Sequence, residues 1–113
     1  MTEFLTAFPP LGRIQPALGS TSDILVNFPD LRDEEFFVHL ILFQADPTNS
    51  GRVYIGDATL DVATKVGINY ILAYAGDSFA IDAGMVLNTI DARGFRVAVD
   101  QAGDGVYISA QLR

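Results

Sequence analysis

The chain has 113 residues, half of them apolar and 19% charged, a balance that excludes intrinsic disorder and allows one domain with one hydrophobic core. A formal charge of −7, with seven basic residues and a single lysine, Lys65, leaves no basic patch for nucleic acid or for an anionic membrane surface. There is no cysteine, which excludes disulfides, thiolate chemistry and Cys-ligated metals.

Residues 1–20 differ from the rest. They hold three of the five prolines, Pro9, Pro10 and Pro16, among irregularly spaced apolar residues: Phe4, Leu5, Phe8, Leu11, Ile14 and Leu18. Proline removes a ladder donor and restricts its predecessor, so this stretch reads as an extended N-terminal arm ahead of a domain over 21–113. Its apolar side chains have two possible destinations, along their own domain or on a neighbouring subunit. Glu3 and the lack of a basic n-region mean that MTEFLTAFPPLGRIQ does not read as a signal peptide. No stretch reaches the roughly 20 apolar residues of a membrane-spanning helix. Synthesis and release in a cytoplasm is the expectation.

From Ser22 onward the pattern is strands separated by turns. Asp23–Phe28 reads as a strand ended by Pro29-Asp30, and residues 30–35 form a charged connection. Phe36–Gln44 is the longest apolar run, and its β-formers and flanking turn residues predict a central strand. Alternation within it puts Phe37, His39, Ile41 and Phe43 on one face and Phe36, Val38, Leu40 and Leu42 on the other. Asp46–Gly51 (DPTNSG) is a turn by composition, because Pro fixes φ while Asn and Gly tolerate positive φ. Arg52–Gly56 is the next predicted strand. Thr59–Val66 is ambiguous. Ile68–Tyr74 alternates, and Gly76-Asp77 turns it into Ser78–Asp82. A helical turn is plausible only at Ala83–Ile90. Ala92–Val99 and Val106–Leu112 are expected as a closing pair joined through Asp100–Gly105 (DQAGDG). Seven or eight short strands at this spacing predict an all-β fold, a single antiparallel β-sandwich or jelly-roll-like domain.

Chemistry finds little to build on. His39 is the only histidine and lies inside an apolar strand, so a catalytic triad or zinc site has no second histidine. A structural or interface role, with the ring hydrogen-bonded, is the expectation. The aspartates (Asp30, Asp33, Asp46, Asp57, Asp61, Asp77, Asp82, Asp100, Asp104) fall mostly in turns, where their side chains bond nearby backbone N–H groups. Glycoside hydrolysis by two of them is disfavoured by the absence of Trp to stack a sugar. DQAGDG has some likeness to a calcium loop but lacks the 1,3,5-spaced oxygens and terminal Glu, so the turn reading stands. Gly103-Asp104-Gly105 precedes a strand, not a helix, and has no helix N-terminus to aim at a phosphate. The expectation is no enzyme, no cofactor and no metal.

Two segments carry a resemblance. Phe43–Asp57 (FQADPTNSGRVYIGD) and Asp77–Leu112, with its DSFAID start and VAVDQAGDGVYISA ending, resemble small virion proteins of tailed bacteriophages. Those proteins often show a strand, an A-D-P-x-N-x-G-x-V-Y-V-G-D run, a short apolar bend, a G-[DE]-S turn and a terminal hairpin around G-D-G-V. The likeness covers about 70 residues in the C-terminal two-thirds and is loosest over Ala58–Leu72. It implies a β-sandwich or jelly-roll on the outside of a phage capsid, a decoration (cement) protein clamping subunits of the major capsid protein. It also implies a homo-oligomer, a trimer. A head-fibre or tail-associated virion protein and a carbohydrate-binding β-sandwich are the alternatives. Candidate partner-binding residues are Phe4, Leu5 and Phe8 on the arm and the tyrosines Tyr54, Tyr70, Tyr74 and Tyr107, a residue type suited to interfaces because one end is apolar and the other hydrogen-bonds.

Overall fold

A computed structural model describes residues 10–23, 37–82 and 90–112. The elements are β1 (Pro10–Ile14), β2 (Ser22–Asp23), β3 (Phe37–Ala45), β4 (Val53–Asp61), β5 (Val66–Leu72), β6 (Ser78–Asp82), β7 (Ile90–Asp91), one 3₁₀ turn (Ala92–Gly94), β8 (Arg96–Val99) and β9 (Val106–Leu112). They form two antiparallel sheets. The first has the order β1-β9-β3-β6, with β7 also on β3, and the second β2-β8-β4-β5. The fold is all-β and packs as a sandwich. The predicted Asp23–Phe28 strand lies beyond Asp23 outside the described residues, and so do residues 1–9 and 83–89.

The apolar residues that made these segments read as strands also bring the sheets together. Ile14, Ile41, Phe43 and Ile108 of the first sheet meet Val53, Ile55, Leu72 and Val97 of the second, all with essentially no exposed surface. Phe43 contacts Phe95 edge to face, with centroids 5.6 Å apart. Within the stretch 1–20, β1 is a strand of the first sheet, paired with β9, with Ile14 buried.

The structure departs from the sequence reading in three places. First, β8 and β9 are not a hairpin: β8 pairs with β2 and β4, and β9 with β1 and β3. Both strands carry residues that must reach one core, and placing them in opposite sheets lets Val97 and Val99 face Val106, Ile108 and Ala110 across it. Second, alternation along β3 breaks at His39. Val38 pairs with Leu112 but Leu40 with Gln111, so His39 is the extra residue of a bulge. The bulge shifts the phase, so that Val38, Ile41, Phe43 and Ala45 are buried while Leu40 and Leu42 are half-buried on the outer face. Third, Ala92–Gly94 forms the 3₁₀ turn and the strand starts only at Arg96; Asp91 caps that turn by accepting the Arg93 N–H.

The ambiguous stretch 59–66 resolves by a second irregularity. β4 and β5 pair from Val53↔Leu72 to Gly56↔Ile68, then only again at Asp61↔Val66. The intervening residues 57–60 bow over the outer face of the second sheet, where Leu60 covers Tyr54 and Ala98, and Val62 and Ile68 pack beside them. The bow requires two glycines. Gly67 has φ +73°, and a Cβ there would strike Thr59 and Asp57; a Cβ at Gly56 would fall on the Gly67 carbonyl.

Candidate interaction surface

At one end of the sandwich the 46–51 and 100–105 loops are locked together. Asn49 Nδ2 donates to the Gly105 carbonyl and Asn49 Oδ1 accepts from the Gly105 N–H, both at 2.8 Å. Asp104 accepts from the N–H groups of Ser50 (3.1 Å) and Gly51 (2.7 Å). Asp46 is buried; its Oδ1 accepts from the Thr48 N–H and hydroxyl, and its Oδ2 takes the Arg13 Nε at 2.8 Å. Arg13 also donates to the Gly103 carbonyl, which ties β1 to the same end. The backbone N–H of Thr48, then the Arg13 guanidinium and the Thr48 hydroxyl, hold the Asp46 carboxyl down at about 2. Asp100 accepts from the Tyr54 hydroxyl at 3.2 Å. These aspartates answer donors of the fold itself, and the motif is a structural clamp.

Among the described residues, no group of three or more His, Cys, Asp or Glu gathers as a metal site would. His39 Nε2 lies 3.9 Å from Asp82 Oδ1, an electrostatic separation and not a hydrogen bond, with both groups open to solvent. A shallow cleft of about 300 Å³ lies between Leu18–Ser20 and Asp61–Ala63 over Ala98. Asp61, on its rim, accepts the Ala63 N–H.

The edges are more informative. β1 and β2 end the two sheets on one side, and β6 and β5 end them on the other. On that second side the Tyr70 and Phe79 rings stack, 4.1 Å between centroids and 5° from parallel, joining β5 to β6. Val66, Tyr70 and Ile71 of β5 are exposed, and Tyr74 just beyond it is 75% exposed. Among the described residues β5 pairs only with β4, and none of them pairs with its outer backbone edge. Sheet edges are ordinarily guarded by charge or proline. From residue 66 to 76 (VGINYILAYAG) this chain has neither, the longest uncharged stretch it contains. β6 is bordered by Asp77 and Asp82.

Of the residues singled out in the sequence, Tyr70 lies in β5 and Tyr74 just beyond its end. Tyr107 sits exposed on the outer face of the first sheet, in register with Arg13 and Gln44. Tyr54 is only 7% exposed and belongs to the cluster under Leu60. Phe4, Leu5 and Phe8 lie outside the described residues. Val66, Ile71 and Phe79 were missed. The uncharged run around the first two is visible in the sequence, but that it forms a sheet edge is not.

No protein-family model, curated protein or solved structure matches the chain.

Proposed function

We propose that this protein is a structural virion protein of a bacteriophage, a capsid decoration protein that clamps neighbouring subunits of the major capsid protein and assembles as a homo-oligomer, a trimer. The observation that carries the reading is the β5 side: an uncharged strand edge, unpaired among the described residues, bearing Tyr70 and Ile71 with Tyr74 just beyond it, on a chain of charge −7. An acidic surface keeps chains apart, and this edge is where one can approach another without placing carboxylates together. Exposed apolar groups at such an edge mark a protein contact.

Two further features support it. The strand order β1-β9-β3-β6 against β2-β8-β4-β5, with most connections passing between sheets, fits a jelly roll, an arrangement used by viral capsid domains and also by lectins and cupins. The resemblance to phage virion proteins is carried by Phe43–Asp57 and Asp77–Leu112, which include the two loops that interlock at one end of the sandwich.

The test is to add purified protein to undecorated capsids and measure stoichiometric binding, with native mass spectrometry of the free protein alongside. Saturable binding by an oligomer supports the proposal; a strict monomer that ignores capsids overturns it. The exposed ring of Tyr74, four residues beyond the stacked Tyr70, favours one second reading, a carbohydrate-binding sandwich, which a glycan array with clear hits would establish instead.

A further inference from the structure

We propose that the cleft beside the β4–β5 turn is a receptor for one arginine side chain carried by a basic protein partner. This goes beyond the reading of the β5 side, because the cleft is a separate surface and its own chemistry defines the occupant.

The first argument is the shape and lining of the cavity. The cleft, about 300 Å³, has Leu18, Val62 and Ala63 on its walls and Ala98 beneath, and Asp61 and Asp100 also line it. An apolar trough with carboxylates beside it matches a side chain that is itself an alkyl stem ending in a positive head. Small-molecule pockets begin near this volume, roughly 300–1,000 Å³, and enclose most of their ligand. A shallow cleft of the minimum size takes one side chain, and the remaining contact comes from the body that carries it.

The second argument is charge complementarity. The fold holds each carboxylate by one oxygen. Asp61 Oδ1 accepts from the Ala63 and Thr64 N–H groups at 3.0 and 3.4 Å, and Asp100 Oδ2 accepts from the Tyr54 hydroxyl at 3.2 Å. Among the described residues nothing donates to Asp61 Oδ2 or Asp100 Oδ1, and neither side chain joins an ion pair. Elsewhere the chain does pair its arginines, Arg13 with Asp46, Arg93 with Asp91 and Arg96 with Asp23. The cleft is left with two held acceptors and no cation from these elements, on a chain of charge −7 that draws basic partners.

The third argument is the kind of cation. Calcium takes about 6–8 oxygens, and this cleft gathers two carboxylates among largely apolar walls. Asp61 ends β4 and Asp100 follows β8, so one donor must reach two separate elements. A guanidinium offers a planar fork of N–H donors on a long stem, whereas an ammonium is a point charge.

The test titrates the isotope-labelled full chain with an acetylated and amidated Gly-Arg-Gly peptide and follows backbone amide shifts. The control peptide carries citrulline, which keeps the stem and loses the charge. The expected result is saturable shifts confined to residues 18–20, 61–63 and 98–100 with the arginine peptide and none with citrulline. Asp61→Asn and Asp100→Asn keep the oxygens that the fold uses and should each lower affinity roughly threefold to fivefold. Asp77→Asn, the same charge change outside the cleft, should leave affinity unaltered. Shifts that spread over the acidic surface or never saturate, equal binding of the citrulline peptide, or cleft variants that bind no worse than Asp77→Asn would each overturn the proposal. The peptide comparison is made on the wild-type chain, so it decides the matter even where a variant fails to fold.

Discussion

Asn49 and Gly105 are bonded as two strands would be: one amide side chain both donates to and accepts from one backbone residue, at 2.8 Å each way. The Asn49 amide thereby extends the β3–β9 ladder, where Ala45 pairs with Val106 and the Asp46 N–H donates to the same Gly105 carbonyl at 3.0 Å. Asn49→Asp keeps the size but loses the donor and sets a carboxylate against the Gly105 carbonyl. It should lower stability by about 1–3 kcal/mol, read as a shift of the urea midpoint with an unchanged slope. Asn49→Ala should fall in the same range.

Asp46 sets an acid limit. Its folded pKa of about 2 lies below the ordinary value of 3.8, so the stability it contributes is fully present above about pH 4 and is lost as pH falls through 2. Asp57 and Asp91 are also lowered, Asp57 first by the Thr59 hydroxyl and Asp91 first by the Arg93 side chain, and they add in the same direction. Urea midpoints between pH 5 and 2 should therefore decline in the wild type and decline less steeply in Asp46→Asn. Equal slopes would show that the Thr48 and Arg13 contacts do not persist in solution.

Glycines at the β4–β5 bow should differ from glycines in open turns. Gly67 and Gly76 both have positive φ, but a Cβ at Gly67 meets Thr59, Asp57 and the Leu60 backbone, whereas a Cβ at Gly76 meets nothing. Gly76→Ala should cost only the left-handed backbone strain, about 1–2 kcal/mol. Gly67→Ala should cost that plus overpacking of about 1–3 kcal/mol. Thermal melts of the two variants give the order.

Tyr54 and Tyr74 should separate stability from association. Tyr54→Phe removes a hydroxyl bonded to Asp100 within the Leu60 cluster and should cost about 0.5–1.5 kcal/mol without changing oligomer mass. Tyr74→Ala removes a ring that is 75% exposed and should leave the melting temperature within about 2 °C while weakening self-association. Sedimentation velocity beside denaturation reads both.

The sequence carried the local half of this fold. The predicted strands at Ser78–Asp82 and Val106–Leu112 coincide with β6 and β9, and the DPTNSG and Gly76-Asp77 turns lie where their residues demand. The candidate surface was legible only in part. Tyr70 and Tyr74 could be named as interface-type residues, but nothing local distinguished them from Tyr54, which the bow at Leu60 buries.

The chain by itself settled the all-β class and most strand positions, because turn chemistry and the preference of β-branched and aromatic residues for strands act over a few residues. Only the tertiary structure decided that β8 and β9 lie in opposite sheets, that His39 bulges and reverses the inward face of β3, and that β5 ends a sheet. Those outcomes depend on which strands meet across 50 or more residues, as Leu40 meets Gln111 and Arg13 meets Gly103. Such pairings are chosen by the burial of one shared core, a property of all the strands together and of no single segment.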